Sequence, residues 1–146
     1  MSRTPLTKDD LRAIYAATKT IAVVGASQNT AKAPHEIPRY LHSQGFRIIP
    51  VSPKGGELFG EEIRASLADI DEPIDVVDVF RPPAEAEAVA QAAIDAGAKV
   101  LWFQLGTESP AAVQLAEDAG LTVVTGYCMG ALHGRLGLGP GPGPHD

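Results

Sequence analysis

Chemistry has few places to sit in this chain. The only cysteine, Cys128, stands five residues before His133, and a thiolate and an imidazole so placed could pair for nucleophilic work. No third group to orient that histidine is evident, and an inert, packed cysteine fits the segment better. His35 falls at the start of an expected helix and reads as a surface histidine within reach of a phosphate. His42, two turns on, reads as solvated, and His145 lies in the tail. The carboxylates Glu61-Glu62 and Asp69/Asp71 occur in turn-rich polar stretches and read as solvated surface. No spacing suits a metal ion. What remains is equipment for holding an anion: a Gly25-Ala26-Ser27 turn, Lys54 and Arg81.

These residues need elements to carry them, and the pattern supplies an alternation of strands and helices. Thr20-Ile-Ala-Val-Val24 is a short apolar strand that breaks at Gly25, and after a polar loop residues 34–44 read as a helix. A buried strand, a turn with little side-chain bulk and a helix N-terminus together form a phosphate-binding unit, although the full G-x-G-x-x-G pattern is absent. Before it, residues 7–17 read as a packing helix with a cap-like Thr7, Asp10 three residues later, and Leu11, Ile14 and Tyr15 on one face. Further strands are expected at 46–51, 74–80, 99–105 and 121–125, with a helical turn at 66–69. Helices are expected after Pro82-Pro83 and Ser109-Pro110, ending before Gly97 and at Gly120. Strands apolar throughout belong to a sheet covered on both faces. The fold class is therefore α/β: a Rossmann-like, doubly wound parallel sheet of about five strands in a single domain.

Composition agrees. A chain of 146 residues with 45% hydrophobic and 21% charged content suits one globular domain, here placed at residues 1–136, with a Gly/Pro-rich tail at 137–146 expected to be disordered. No apolar run approaches the length needed to span a bilayer, the polar N-terminus is no signal peptide, and one cysteine allows no internal disulfide. The expected location is the cytoplasm, with no membrane partner. A net charge of −6 argues against nucleic acid as a partner.

In such a sheet, ligands sit beyond the carboxyl ends of the strands, so the strand ends are read together. The second strand ends in Val51-Ser52-Pro53-Lys54, where an NAD site would carry a carboxylate for the ribose hydroxyls. A lysine there suits a phosphorylated ribose, as in NADP or coenzyme A, and Arg81 at the mouth of the third strand is a second phosphate contact. The alternatives are a solvated Lys54 and an Arg81 paired with Glu85.

Gly25-Ala26-Ser27, Val51-Ser52-Pro53-Lys54, Val79-Phe80-Arg81 and Trp102-Phe103-Gln104-Leu105-Gly106 resemble the motifs of the small single-domain CoA-binding proteins. Those proteins are similar to the CoA-binding domain of the succinyl-CoA synthetase α subunit. The resemblance covers roughly residues 8–136 and implies coenzyme A or a small acyl-CoA as ligand. The amides of Gly25, Ala26 and Ser27 would meet the pyrophosphate. Val51, Ser52, Pro53 and Lys54, with Phe80, Arg81 and Pro82, would frame the adenosine end, and Gln104, Leu105 and Gly106 would lie near the pantetheine arm. Lys32, ahead of the second helix, joins this binding set.

Family members tend to carry charged neighbours beside the late Cys and His, where this chain has Gly126-Tyr127-Cys128 and Leu132-His133. The synthetases keep their phosphorylated histidine and remaining chemistry in domains absent here, so the resemblance implies binding and not ligation. The expected function is non-catalytic CoA binding, as a carrier or a sensor, with no catalytic residue. An NADP-dependent oxidoreductase, or a nucleotide-sensing module acting through a protein partner, are the alternatives. A side chain at Gly25 is expected to abolish binding while leaving the domain folded.

Overall fold

The strand β1 (Thr20–Val24) runs through the middle of the protein, with Ile21, Ala22 and Val23 fully buried. The computed structural model describes residues 5–140. It pairs β1 in parallel with β2 (Arg47–Val51) on one side and with β5 (Val76–Val79) on the other, and continues through β6 (Val100–Phe103) to β7 (Thr122–Val124). The order β2-β1-β5-β6-β7 reverses direction between β1 and β5, so the connections leaving these two strands diverge and open a crevice above them. The expected strands are all present, each except β1 slightly shorter than the sequence suggested, and a short hairpin of β3 (Glu57–Leu58) and β4 (Glu61–Glu62) is added.

Alternation along the strands divides the core in two. Ile21, Val23, Val76, Val100 and Trp102 face α1 (Lys8–Ala17), α2 (Ala33–Ser43) and α5 (Met129–Arg135). Ala22, Val77, Val79, Leu101 and Phe103 face α3 (Ala86–Asp95) and α4 (Pro110–Asp118). The second pair of helices meets the sheet largely through alanines, Ala86, Ala90, Ala93, Ala112 and Ala116, all fully buried. The caps follow the sequence: Thr7 and Asp10 form a reciprocal capping box on α1, and the Ser109 hydroxyl accepts from the Ala112 amide on α4.

Three features depart from the sequence expectation. Residues 57–62 form the hairpin, turning on Phe59 and Gly60, both at positive φ (53° and 76°). Phe59 holds that costly conformation while packed between the rings of His35 and His42, at centroid distances of 5.3 and 5.5 Å. Glu61 is consequently no solvated carboxylate: it pairs with Arg64 at 3.0 Å and with Arg47 at 3.3 Å. The third departure is α5, whose glycines disguise it. Gly130 is needed where α5 crosses α2, since a Cβ there would stand 3.0 Å from Ile37 Cγ2. Of the tail, residues 141–146 lie outside the described residues, while Leu138 packs against the α1/α2/α5 core.

A buried carboxyl interrupts the apolar middle of the sheet. Asp78 in β5 is fully buried; its Oδ1 accepts from Gln104 Nε2 at 2.6 Å, and its Oδ2 has no partner. Burial pushes its carboxyl up to about 7, with the Gln104 hydrogen bond opposing the shift. The native state thus keeps a proton that the unfolded chain has released above its ordinary value of 3.8, and stability falls as pH rises from there towards 7. Asp78→Asn, which retains a partner for Gln104 and cannot ionise, is expected to gain melting temperature on the wild type steadily between pH 4 and 7. Thermal melts across that range test it, and a gap independent of pH refutes it.

Candidate functional site

Above the β1/β5 switch point lies a cleft of about 660 Å³. It collects the end of β1 with the loop after it, the end of β2 through Gly55, residues 63–67, the Phe80–Arg81 corner and one face of α3. Of the residues singled out in the sequence, Gly25, Ala26, Ser27, Lys32, Val51, Ser52, Pro53, Lys54, Phe80 and Arg81 all line it.

Its geometry starts at Gly25, whose φ of +92° lets the chain turn sharply out of β1. A Cβ at this position would stand 2.8 Å from Arg81 Cδ and 3.0 Å from the Phe80 carbonyl oxygen. The Gly25 and Ala26 amides both donate to the Val51 carbonyl, at 3.0 and 3.3 Å, so the tips of β1 and β2 are tied together. Pro38, inside α2, has no N–H to offer the carbonyl one turn earlier, and the Ser27 amide takes that Pro34 oxygen instead at 3.2 Å. The Ser27 carbonyl bonds His35 Nδ1 at 2.8 Å. His35 is buried rather than a surface residue, and it buttresses the loop from beneath. The amides of Gly25, Ala26 and Ser27, expected to face a pyrophosphate, are therefore all engaged within the chain. Positive groups reach the cleft by another route, on the side chains of Lys32, Lys54 and Arg81.

Arg81 is not free. Its Nε and Nη2 donate to the two Glu85 oxygens at 3.1 and 2.6 Å, an ion pair with both side chains about 45% exposed. The pairing raises the Arg81 guanidinium and lowers the Glu85 carboxyl from their ordinary values. Lys32 and Lys54 make no ion pair among the described residues. The end of β2 presents no carboxylate; Ser52 is buried, with its hydroxyl accepting from the Lys54 amide at 3.3 Å.

Four expected contacts lie elsewhere. Pro82 is exposed at the start of a tight turn outside the cleft, and Leu105 is 64% exposed. Gly106 borders a second, open groove with Glu108, Pro110 and Val113. Gln104 is turned inward onto Asp78. Sequence reasoning also missed the apolar wall made by Ile63, Ala65, Leu67, Ala88, Val89 and Ala92. Its only sequence signal was the small-residue face of the alanine-rich helix. The segment 63–65 reaches the cleft because the Ser52 amide donates to the Arg64 carbonyl and the Arg64 amide to Pro50, both at 2.9 Å.

The Cys128–His133 pair does not form. His133 is buried with Nδ1 hydrogen-bonded to the Tyr40 hydroxyl at 2.8 Å, and loss of solvent lowers its basicity. Among the described residues no group of three or more His, Cys, Asp or Glu is placed to hold a metal, and no helix is long and apolar enough to cross a membrane.

Residues 19–134 match the CoA binding domain family. The chain belongs to that family. An uncharacterized Bacillus subtilis protein, YneT, is 34% identical over 126 residues, covering 86% of this chain and 93% of its own. The solved structure of a hypothetical protein from Pyrococcus horikoshii superposes with a TM-score of 0.87 at 38% identity, over 93% of this chain and 99% of that one. The dinucleotide-forming acetyl-coenzyme A synthetase 1 of Ca. Korarchaeum cryptofilum shares the fold at 26% identity and a TM-score of 0.66, over 78% of this chain but 27% of its own. The Rossmann-like single domain is thus common to small free-standing members and to one part of a much larger synthetase.

Gly25 is the position at which the family fold and the cleft coincide. The contact with the Phe80 carbonyl and the positive φ revise the expectation that a side chain there spares the fold. Gly25→Ala is expected to cost about 1–3 kcal/mol of stability from backbone strain alone. Urea denaturation of this variant measures it; an unchanged midpoint and slope would refute the geometry.

Proposed function

We propose that the cleft binds coenzyme A through its 3′-phosphate-ADP portion, and that the chain acts as a binding protein, a carrier or sensor, rather than as a catalyst. The observation that carries this reading is the pairing of an apolar wall with unpaired lysines at a β2 end that lacks a carboxylate. The slot between the Ala88–Val89–Ala92 face and Leu67 suits a flat base, and Lys54 beside it suits the phosphate on the ribose. Arg81 and Lys32 flank the path of the pyrophosphate. Membership of the CoA binding domain family supports the same ligand. Two titratable groups near the sheet ends serve structure: His35 holds the Ser27 carbonyl and His133 holds Tyr40. This favours binding over hydride transfer, and NADP becomes the ligand to compete against CoA.

Thermal shift with CoA, dephospho-CoA, acetyl-CoA, NADP and NAD tests the proposal. A ligand at 100 times its dissociation constant stabilises the native state by about 2.7 kcal/mol, a shift of several degrees. CoA is expected to stabilise and NAD to have no effect; equal stabilisation by NAD would refute the reading.

Lys54→Ala separates the two ends of the ligand. A charge-assisted contact is worth roughly 1.5–3 kcal/mol, so CoA affinity is expected to fall about tenfold or more while dephospho-CoA is little changed. Equal losses in titration calorimetry would show that Lys54 does not read the 3′-phosphate.

A further inference from the structure

The Arg81–Glu85 pair is an unusual thing to find on the wall of an anion site. Among the described residues, Arg81 is the only arginine lining the cleft and Glu85 the only carboxylate. The two are matched in a bidentate contact of 3.1 and 2.6 Å, which uses the fork of donors that a phosphate would otherwise engage. The geometry holding them is not helical chance. The Arg81 stem lies against Gly25, close enough that a Cβ would reach its Cδ at 2.8 Å. Glu85 is set opposite by the tight turn Pro83–Glu85, closed by the Glu85 amide donating to the Pro82 carbonyl at 2.9 Å. Two consecutive prolines thus fix where the carboxylate stands.

We propose that Glu85 is the selectivity-setting residue of the cleft: it occupies Arg81 until a ligand offers adjacent phosphate oxygens that displace it. The inference rests on the reading of the cleft as a nucleotide site and adds to it a built-in competitor. Both side chains are about 45% exposed, so the pair is weak and opens at little cost. A pyrophosphate, with several charged acceptors, displaces the single carboxylate; a neutral nucleoside leaves the pair closed and gains nothing from Arg81. By holding Arg81, Glu85 makes the cleft bind its ligand less tightly than its positive groups alone would allow, and release it faster.

The test measures affinity by calorimetry for the wild type, Glu85→Gln, Arg81→Ala and the double variant, with CoA, ADP, adenosine and inorganic pyrophosphate as ligands. Glu85→Gln is expected to tighten CoA, ADP and pyrophosphate by about three- to tenfold, to steepen their salt dependence, and to leave adenosine unchanged. The gain should vanish when Arg81 is also removed. Weaker or unchanged anion binding in Glu85→Gln overturns the proposal, as does a gain that persists without Arg81, because simple repulsion would then account for it. Pyrophosphate separates the two readings. Tightening of pyrophosphate without binding of CoA or ADP would refute the nucleotide site and leave the gate standing. CoA binding that is indifferent to Glu85 would do the reverse, and no binding of any anion to any variant overturns both.

Discussion

Where β1 ends, the Gly25 amide reaches across to the Val51 carbonyl at 3.0 Å while its α-carbon lies against Phe80 and Arg81. Three strand ends converge on this one residue, from β2, β1 and β5 in their order across the sheet. Any side chain would push the third away, and the crevice above the switch point would lose its narrow end. The positive φ at the same residue sends the chain up and over, so that Ser27 lands on the first turn of α2. The rest of the cleft is then assembled by ordinary hydrogen bonding around that fixed corner.

The consequence for binding is a division of labour. Backbone groups near the turn are spent on architecture: the amides of Gly25, Ala26 and Ser27 and the carbonyl of Ser27 all have partners within the chain. Recognition therefore falls to side chains, and those that face the cleft differ in their freedom. Lys32 and Lys54 are exposed and unpaired among the described residues, while Arg81 is already engaged. A site of this kind presents charge through flexible groups on a rigid frame. The same fold forms one part of a larger synthetase.

Much of this was legible in the residues. The strand-turn-helix at 20–44, the proline and glycine boundaries of the later helices, and the strand-end candidates all follow from local rules, because each depends on a few neighbours in sequence. What escaped depends on partners far away. Nothing near Glu61 announces Arg47, and nothing near Pro38 announces that the Ser27 amide takes the Pro34 carbonyl while His35 holds the Ser27 carbonyl. Gln104 was placed at a strand end correctly, but its direction was set by Asp78 on the neighbouring strand, a carboxyl whose burial no local pattern signals. The helix α5 was hidden for a related reason: its glycines weaken a helix in isolation, and the tight one, Gly130, answers to Ile37 on a distant helix.

The helix α5 also governs when the core around α1 can close. The polar tips of three aromatic residues are tied to the segment that contains it: Tyr15 to the Met129 carbonyl, Tyr40 to His133, and Trp102 to the Tyr127 carbonyl. The first of these contacts spans 114 positions. During synthesis at about 5–20 residues per second, that separation corresponds to roughly 5–25 s in which Tyr15 has no acceptor. The Tyr15 ring can meet Phe46 and Trp102 earlier, at centroid distances of 6.4 and 5.6 Å, but its hydroxyl waits for Met129. The side of this core that α1 shares with α5 therefore closes only once residues 129–135 have been made. The interval in which that side stays open to chaperones, or to another nascent chain, is set by residues far along the sequence from the helix at risk.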